Sequence, residues 1–379
     1  MLRRLFIIPY TAEPILSTLF AGFLVFGLFM VYSTTSILSY ERFGTDTFFV
    51  SRHIVHLLMG ACLTLIFARI KFEWIQQHAY WLFILSFFLL TATLLPGTSL
   101  SLGGAHRWVR LGPLNIQPSE FCKVTFLWYL AVSLSKKIER NTLNQFSIGV
   151  MPHIMAGGML CAVLILQPDF GNALVFITLV AFLLYIAGVK FSHLLALILS
   201  VIPVAVFAIT RSPYRLKRVL TFLNPWDDPM NKGFQVIQSL LSFSSGEIFG
   251  KGIGNSQGKL FFVPESHSDF VFAIMGEELG FIGITAFLLI WCGFIFRGFK
   301  IARQCHNDFT FLIASGSVFL LALQSVIHMM VNLSLLPAKG MNLPFMSTGG
   351  SNLMLCMALT GLLLNCAIRN KFDSTSTHV

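Results

Sequence analysis

Residues 263–281 read VPESHSDFVFAIMGEELGF and place Glu265, His267, Asp269, Glu277 and Glu278 across the start of an apolar run. An ionised acid at the centre of a bilayer costs about 2.5 to 3.5 kcal/mol on insertion scales, so acids here must line a polar cavity, lie near the interface or find partners. Asp269 is the best placed for chemistry, because it stands where a polar segment meets a helix and can touch both water and a cavity. The alternative is a cap, with Ser266, Ser268 and the Asp269 carboxylate taking up free helix N–H groups. On an ideal helix Glu277 lies about 80° around from Asp269 and Glu278 nearly opposite. Asp269 and Glu277 are therefore expected to share one cavity, and Glu278 to face another helix. In an extended segment Glu265, His267 and Asp269 would share one edge and could take a divalent cation such as Mg or Mn; three solvated loop residues is the plainer reading.

Other groups could work with these. GGAHRWVRLGPLNIQPSEFCK offers Arg107, Trp108 and Arg110 ahead of Glu120 and Lys123. The last two are three apart and can pair on one helix face, either as a structural pair at the mouth of a span or as part of a site. In LQPDFGN, Pro168 and Gly171 interrupt an apolar run around Asp169. This is either a broken helix lining a cavity or a tight turn with a capping Asp. RSPYRLKR contributes Arg211, Arg215, Lys217 and Arg218. LPAKGMNLPFMSTGGSN adds Lys339 and a Gly349, Gly350, Ser351 turn whose N–H groups could receive an anion. Together these cations and acids suggest a lipid-linked anionic substrate.

The chain that must position them has 379 residues, of which 55% are hydrophobic and 11% charged, with 39 Phe and a mean hydropathy of +0.77. That composition excludes an ordinary soluble domain and predicts an all-α, polytopic membrane protein. Apolar windows of about 20 residues, the length that crosses the hydrocarbon core, fall at 14–37, 55–70, 80–95, 121–134, 150–166, 171–188, 194–210, 269–296, 309–333 and 345–368. Of these ten spans, 121–134 is short and reads as one helix of a tight pair. An even number puts both termini on one side. Thirteen Lys and Arg, among them Arg3, Arg4, Lys136, Lys137 and Lys300, lie on the termini and alternate loops, against five on the opposite short loops. By the positive-inside rule the termini are cytoplasmic. The N-terminal MLRRLFIIPYTAEPILSTLF is expected to be an uncleaved first span rather than a signal peptide.

The net charge of +10 is in part this orientation signal, and no basic tract with interleaved aromatics suggests nucleic acid. The chain reads as one membrane domain, 1–379, with extracytoplasmic loops at about 96–119, 211–268 and 334–344. The second, between spans seven and eight, is long enough to be functional. Within it FQVIQSLLSF predicts a short interfacial helix with Phe234, Ile237, Leu240 and Leu241 on one face and Gln235, Gln238, Ser239 and Ser242 opposite. The seven cysteines show no ligand spacing and are expected to be buried free thiols.

GGAHRW, QPSEFCK, LQPDFGN, YRLKRVLTFLNPWDDP, GFQVIQSLLSFSSGEIFGKGIGNS, LFFVPESHSDFVFAIMGEELG and LPAKGMNLPFMSTGGSNL resemble, in order and spacing, the motifs of the FtsW/RodA (SEDS) family of bacterial cell-wall polymerases. PAKG, NPWDDP and PESHSDF are closer to its division branch than to its elongation branch. The resemblance implies a ten-helix glycosyltransferase of the cytoplasmic membrane that polymerises lipid II into glycan strands on the outer face. It also implies no organic cofactor, and partners that include a class B penicillin-binding protein transpeptidase and other division proteins. The family's essential acid falls on Asp269, its aromatic and basic first-loop positions on Trp108 and Arg107, its QPSE acid and following Lys on Glu120 and Lys123, and its QPD acid on Asp169. His106, Phe170, Asn172 and Thr348 depart from the family pattern. Joined to the residue reading, this gives Asp269 as the base that deprotonates the acceptor hydroxyl in an inverting transfer, with Arg215, Arg218, Lys339 and a divalent ion on the departing diphosphate. Glu265, His267 and Ser351 are further candidate substrate contacts. Two other classes use the same features: a lipid II flippase or transporter, and a scaffold that recruits a crosslinking enzyme.

Overall fold

A computed structural model describes residues 13–95, 100–102, 105–111, 114–211, 213–230, 233–259, 267–337 and 340–376. Ten helices occupy the ten expected spans. They are α1 (Pro14–Phe43), α2 (Phe48–Arg69), α3 (Phe72–Ala92), α4 (Pro118–Glu139), α5 (Met151–Leu166), α6 (Phe170–Ile186), α7 (Phe191–Thr210), α10 (Val271–Arg303), α11 (Asp308–Asn332) and α12 (Gly350–Ser376). Two shorter helices, α8 (Pro213–Leu223) and α9 (Phe234–Ser245), lie within the long loop. The chain is thus an all-α, multi-pass membrane protein. Among the described residues seven helices, α1, α2, α3, α5 with its preceding π turn, α10, α11 and α12, are long and apolar enough to cross a membrane. α6 and the described part of α7 are shorter apolar helices.

The span at 121–134 is corrected. α4 begins at Pro118, whose fixed φ suits a first helical position, and runs 22 residues, a full crossing by length. Its polar Glu120 and Lys123 hide that length from a hydropathy window.

One small sheet joins the helices. β1 (Leu100–Leu102), β2 (Ala105–Leu111) and β3 (Leu114–Ile116) form an antiparallel meander in the order β1-β2-β3, with Val109 opposite Ile116 and Leu111 opposite Leu114. It delivers the chain directly into α4.

α12 and α11 are buried along most of their length, and the other helices surround them. Large apolar side chains such as Trp81, Phe88, Leu289 and Phe296 face outward, as expected where the surrounding medium is hydrocarbon. All seven cysteines are free. Four are buried and Cys305 is partly so, but Cys62 and Cys292 are exposed on spans, which corrects the expectation for those two.

α10 is broken near its start. Gly280 has φ 67 and ψ −172 inside the helix, and Gly250 approaches it with φ 79. A Cβ on Gly280 would collide with the Gly250 nitrogen, and one on Gly250 with the Glu278 carbonyl. This contact lets the preceding loop take up what the break frees. Lys251 N and Gly252 N donate to Glu277 O and Glu278 O, each at 3.0 Å, while Phe281 N and Ile282 N donate to Glu247 O (2.9 Å) and Ile248 O (3.1 Å). Interrupted helices are tolerated in membranes when other protein groups satisfy the freed backbone.

α9 forms where the periodicity predicts, but its buried side combines Ile237 of the expected apolar face with Ser239 and Ser242 of the expected polar one. Val236, Ile237, Ser239 and Ser242 are buried, whereas Leu241 is exposed. Ser239 Oγ donates to Asn332 O at 2.7 Å, so the serine side seats the helix against the protein.

Candidate active site

Asp269 lies outside α10, in a half-buried turn at 267–269. The helix N-cap is Phe270, with no side-chain cap. The helix is capped from elsewhere: Asn332 at the end of α11 accepts from Ala273 N at 3.0 Å. The Asp269 carboxylate faces Gly340, where an added Cβ would lie 3.2 Å from Oδ2. His267 packs its ring 6.0 Å from that of Phe49 in α2. This turn stands at the head of a spanning helix, beside the start of the 340–350 segment.

Among the described residues, Glu277 is turned to the loop between α9 and α10, which corrects the expectation that it shares a cavity with Asp269. Glu277 is buried and receives four donors from the loop between α9 and α10: Lys251 Nζ (2.7 Å), Ser256 Oγ (2.5 Å), Gln257 N (3.0 Å) and Gly258 N (3.1 Å). With Asp269 outside the helix, the angular argument loses its basis. Glu278 faces another helix as expected: its Oε1 accepts from Ser33 Oγ of α1 at 2.5 Å and lies 3.4 Å from Lys259 Nζ. Glu277 and Glu278 fold the loop onto the broken helix, and His267 and Asp269 remain at the surface of that assembly.

A second polar cluster surrounds the top of α4. Lys123 Nζ and Glu120 Oε1 are 2.7 Å apart, almost wholly buried. Asn352 Nδ2 on α12 donates to Glu120 Oε2 and to Gln324 Oε1, each at 3.2 Å. Next to it Ser351 Oγ accepts from Gln117 N at 3.2 Å and donates to Asn115 O at 3.4 Å. Asp169 is the N-cap of α6, accepting from Asn172 N at 3.3 Å. Its other oxygen accepts from Asn172 Nδ2 at 2.9 Å and Gln117 Nε2 at 3.4 Å. Arg107 on β2 reaches the same corner, 3.8 Å from Asp169 Oδ2, and donates to the carbonyls of Gln167 and Pro168. Trp108 follows it on β2, half-buried.

The structure therefore joins Arg107, Glu120, Lys123, Asp169 and Ser351 through one hydrogen-bonded network spanning the sheet, α4, the α5–α6 turn and α12. His267 and Ser268 are fastened to the same 340–352 segment, through Thr348 and Ser347, and the Asp269 carbonyl is held by Asn332 of α11. Arg218 lies on exposed α8. Glu265 and Lys339 lie outside the described residues, as does the side chain of Arg215. The expected three-donor metal set includes Glu265; among the described residues no group of three His, Cys, Asp or Glu side chains is placed to hold an ion.

Asn332, Ser347, Thr348, Asn352 and Gln324 escape sequence reasoning. Each is uncharged and has a partner remote in sequence; Asn332, Gln324 and Asn352 lie in apolar spans, whereas Ser347 and Thr348 lie in the polar turn before α12. For the three amides the signal available was a polar group inside a span, which must find a partner there.

Packed apolar helices, seven of them among the described residues long and apolar enough to cross a membrane, define a polytopic membrane protein, and a half-buried carboxylate stands at the head of one of these helices. Residues 14–372 match the cell-cycle protein family named for FtsW, RodA and SpoVE, and the chain belongs to that family. It is 36% identical over 346 residues to the probable peptidoglycan glycosyltransferase FtsW of Geobacter metallireducens (strain ATCC 53774 / DSM 7210 / GS-15), covering 91% of this chain and 92% of that one. It is 34% identical over 349 residues to stage V sporulation protein E of Bacillus subtilis (strain 168), covering 92% and 95%. Among solved structures it is similar to a chain from work on structural coordination of polymerization and crosslinking by a peptidoglycan synthase complex, with a TM-score of 0.75, 28% identity and coverage of 94% and 97%. The rod shape determining protein RodA of Thermus thermophilus is also similar, with a TM-score of 0.67, 25% identity and coverage of 93% and 95%.

Proposed function

We infer that this chain is a peptidoglycan glycosyltransferase of cell division, and that it polymerises lipid II into glycan strands at the outer face of the cytoplasmic membrane. Its similarity to FtsW proteins over nine-tenths of its length supports the activity, and the Lys/Arg bias of its loops supports cytoplasmic termini. The observation that carries the chemistry is the place of Asp269: a half-buried carboxylate at the head of a spanning helix, facing Gly340.

Sugar transfer from a lipid diphosphate needs a base for the attacking hydroxyl and positive charge on the departing diphosphate. Asp269 takes the proton from the acceptor GlcNAc 4-hydroxyl as its oxygen attacks the donor's anomeric carbon. The bond to the diphosphate breaks on the opposite side, inverting that carbon. Arg215, Arg218 and Lys339 stabilise the diphosphate. Arg107 ties the sheet to the α5–α6 turn through Asp169 and the carbonyls of Gln167 and Pro168, and Trp108 and Ser351 are the proposed glycan contacts. A class B penicillin-binding protein is the proposed crosslinking partner, a reading supported by the similarity to a chain of a peptidoglycan synthase complex. Purified protein supplied with lipid II in detergent micelles, where no membrane separates two sides, is expected to build glycan chains. Binding of lipid II with no chain formation would instead identify a carrier.

A further inference from the structure

Asp269 belongs to no regular element, yet three successive carbonyls at this turn are each held by a side chain from a distant part of the chain. His267 O accepts from Thr348 Oγ1 at 3.0 Å and from Thr348 N at 3.2 Å. Ser268 O accepts from Ser347 Oγ at 2.8 Å. Asp269 O accepts from Asn332 Nδ2 at 2.9 Å.

Asn332 has no exposed surface, and every polar atom of its side chain is engaged. Nδ2 also donates to His328 O at 2.9 Å, and Oδ1 accepts from Ala273 N at 3.0 Å. Because two carbonyls and one N–H surround it, only one orientation of the amide satisfies all three contacts. One residue thus ties the Asp269 carbonyl and the first turn of α10 to the end of α11.

The other arm of this arrangement is anchored as firmly. Ser347 Oγ accepts from Leu343 N at 2.9 Å. Between them Phe345 adopts φ 65, a conformation that bulky residues keep only where the surroundings over-determine it. Its buried ring packs among Phe20, Trp291 and Phe294. One helical turn before Asn332, His328 Nδ1 donates to Met341 O at 2.6 Å, which fixes the chain next to the Gly340 that faces the carboxylate.

We propose that Asn332, Ser347 and Thr348 form a clamp on the backbone of residues 267–269 and act as positioning residues for the Asp269 carboxylate. They work through the backbone and do not touch substrate. A polar loop at the mouth of a bundle is ordinarily free to drift, and misplacing a reacting group by 1 Å can cost about 10²-fold in rate. Fastening consecutive carbonyls from two elements removes that freedom through the main chain alone. The proposal rests on the role assigned to Asp269 above.

The test measures kcat and KM for lipid II on purified full-length Asn332→Asp, Ser347→Ala and Thr348→Val, beside wild type and Asp269→Asn, with melting temperatures for each. Asn332→Asp keeps shape and the acceptor for Ala273 but loses both donors. It is expected to lower kcat about tenfold or more at unchanged KM. Ser347→Ala loses less, and Thr348→Val, which keeps its own N–H on His267, loses least. Thr348→Ser restores the Thr348→Val loss. If Asn332→Asp fails to fold, the Ser347 variant and the Thr348 pair decide. Wild-type kcat in these variants, or a loss that appears in KM or follows melting temperature without rescue, overturns the clamp. An inactive Asp269→Asn beside fully active clamp variants removes only the clamp, whereas an active Asp269→Asn removes the base and the clamp together.

Discussion

At the residue scale, the Glu120–Lys123 pair states the problem that polar groups face in this fold. Both side chains are buried and 2.7 Å apart, and removing one partner of such a pair leaves a charge that the surroundings cannot solvate. Glu120→Gln or Lys123→Met alone is expected to destabilise the detergent-solubilised protein by about 3 to 5 kcal/mol. The double replacement should cost less than the sum of the singles, because neither change then strands a charge. Thermal or denaturant unfolding of the four proteins measures this coupling, and additive losses would show that the pair is not coupled. The pair is legible in the sequence because a spacing of three is a local fact about a helix. Its third partner, Asn352, lies 232 positions along the chain from Glu120, and no local pattern announces it. The same holds for Asp269. Its place at a helix head can be read from VPESHSDF, but the attachment of its turn to Asn332, Ser347 and Thr348 depends on which spans become neighbours.

At the element scale, the start of α10 departs most from the sequence reading, and for a physical reason. A continuous helix from Asp269 would put Glu277 near it, whereas the chain begins the helix at Val271 and breaks it at Gly280. The break exposes carbonyls and amides that the 247–252 segment satisfies, and Glu277 then collects the donors of 251–258. GEELG shows two acids and two glycines but not the loop that closes on them. Gly280→Ala is expected to be destabilising by about 1 to 3 kcal/mol from the backbone conformation alone, with more from the clash at Gly250. A lowered melting temperature in detergent, with faster proteolysis of the 247–259 loop, is the expected result. Unchanged values would show that the break does not need glycine. α9 gives a related lesson: its helical period is plain in the sequence, but burial of the face bearing Ser239 depends on Asn332 offering a carbonyl.

For the whole molecule, ten spans are visible in the sequence because hydrocarbon imposes one length on all of them. The small sheet at 100–116 was not legible, since its strands of three and seven residues carry no periodic signal strong enough to stand out. The orientation is a prediction of the charge bias. In a variant without the seven native cysteines, Cys introduced in place of exposed Met230 should react with a membrane-impermeant thiol reagent in spheroplasts. Cys in place of Lys300 should react only after permeabilisation. The reverse pattern would invert the topology and put Asp269 on the wrong side of the membrane for wall synthesis.

The most direct measurement is glycan-chain formation from lipid II by purified wild type and Asp269→Asn at matched melting temperature. Chains from the wild type and none from the variant are expected, because the amide cannot take the proton of the attacking hydroxyl. Chains of ordinary length and rate from Asp269→Asn would contradict the account at its centre.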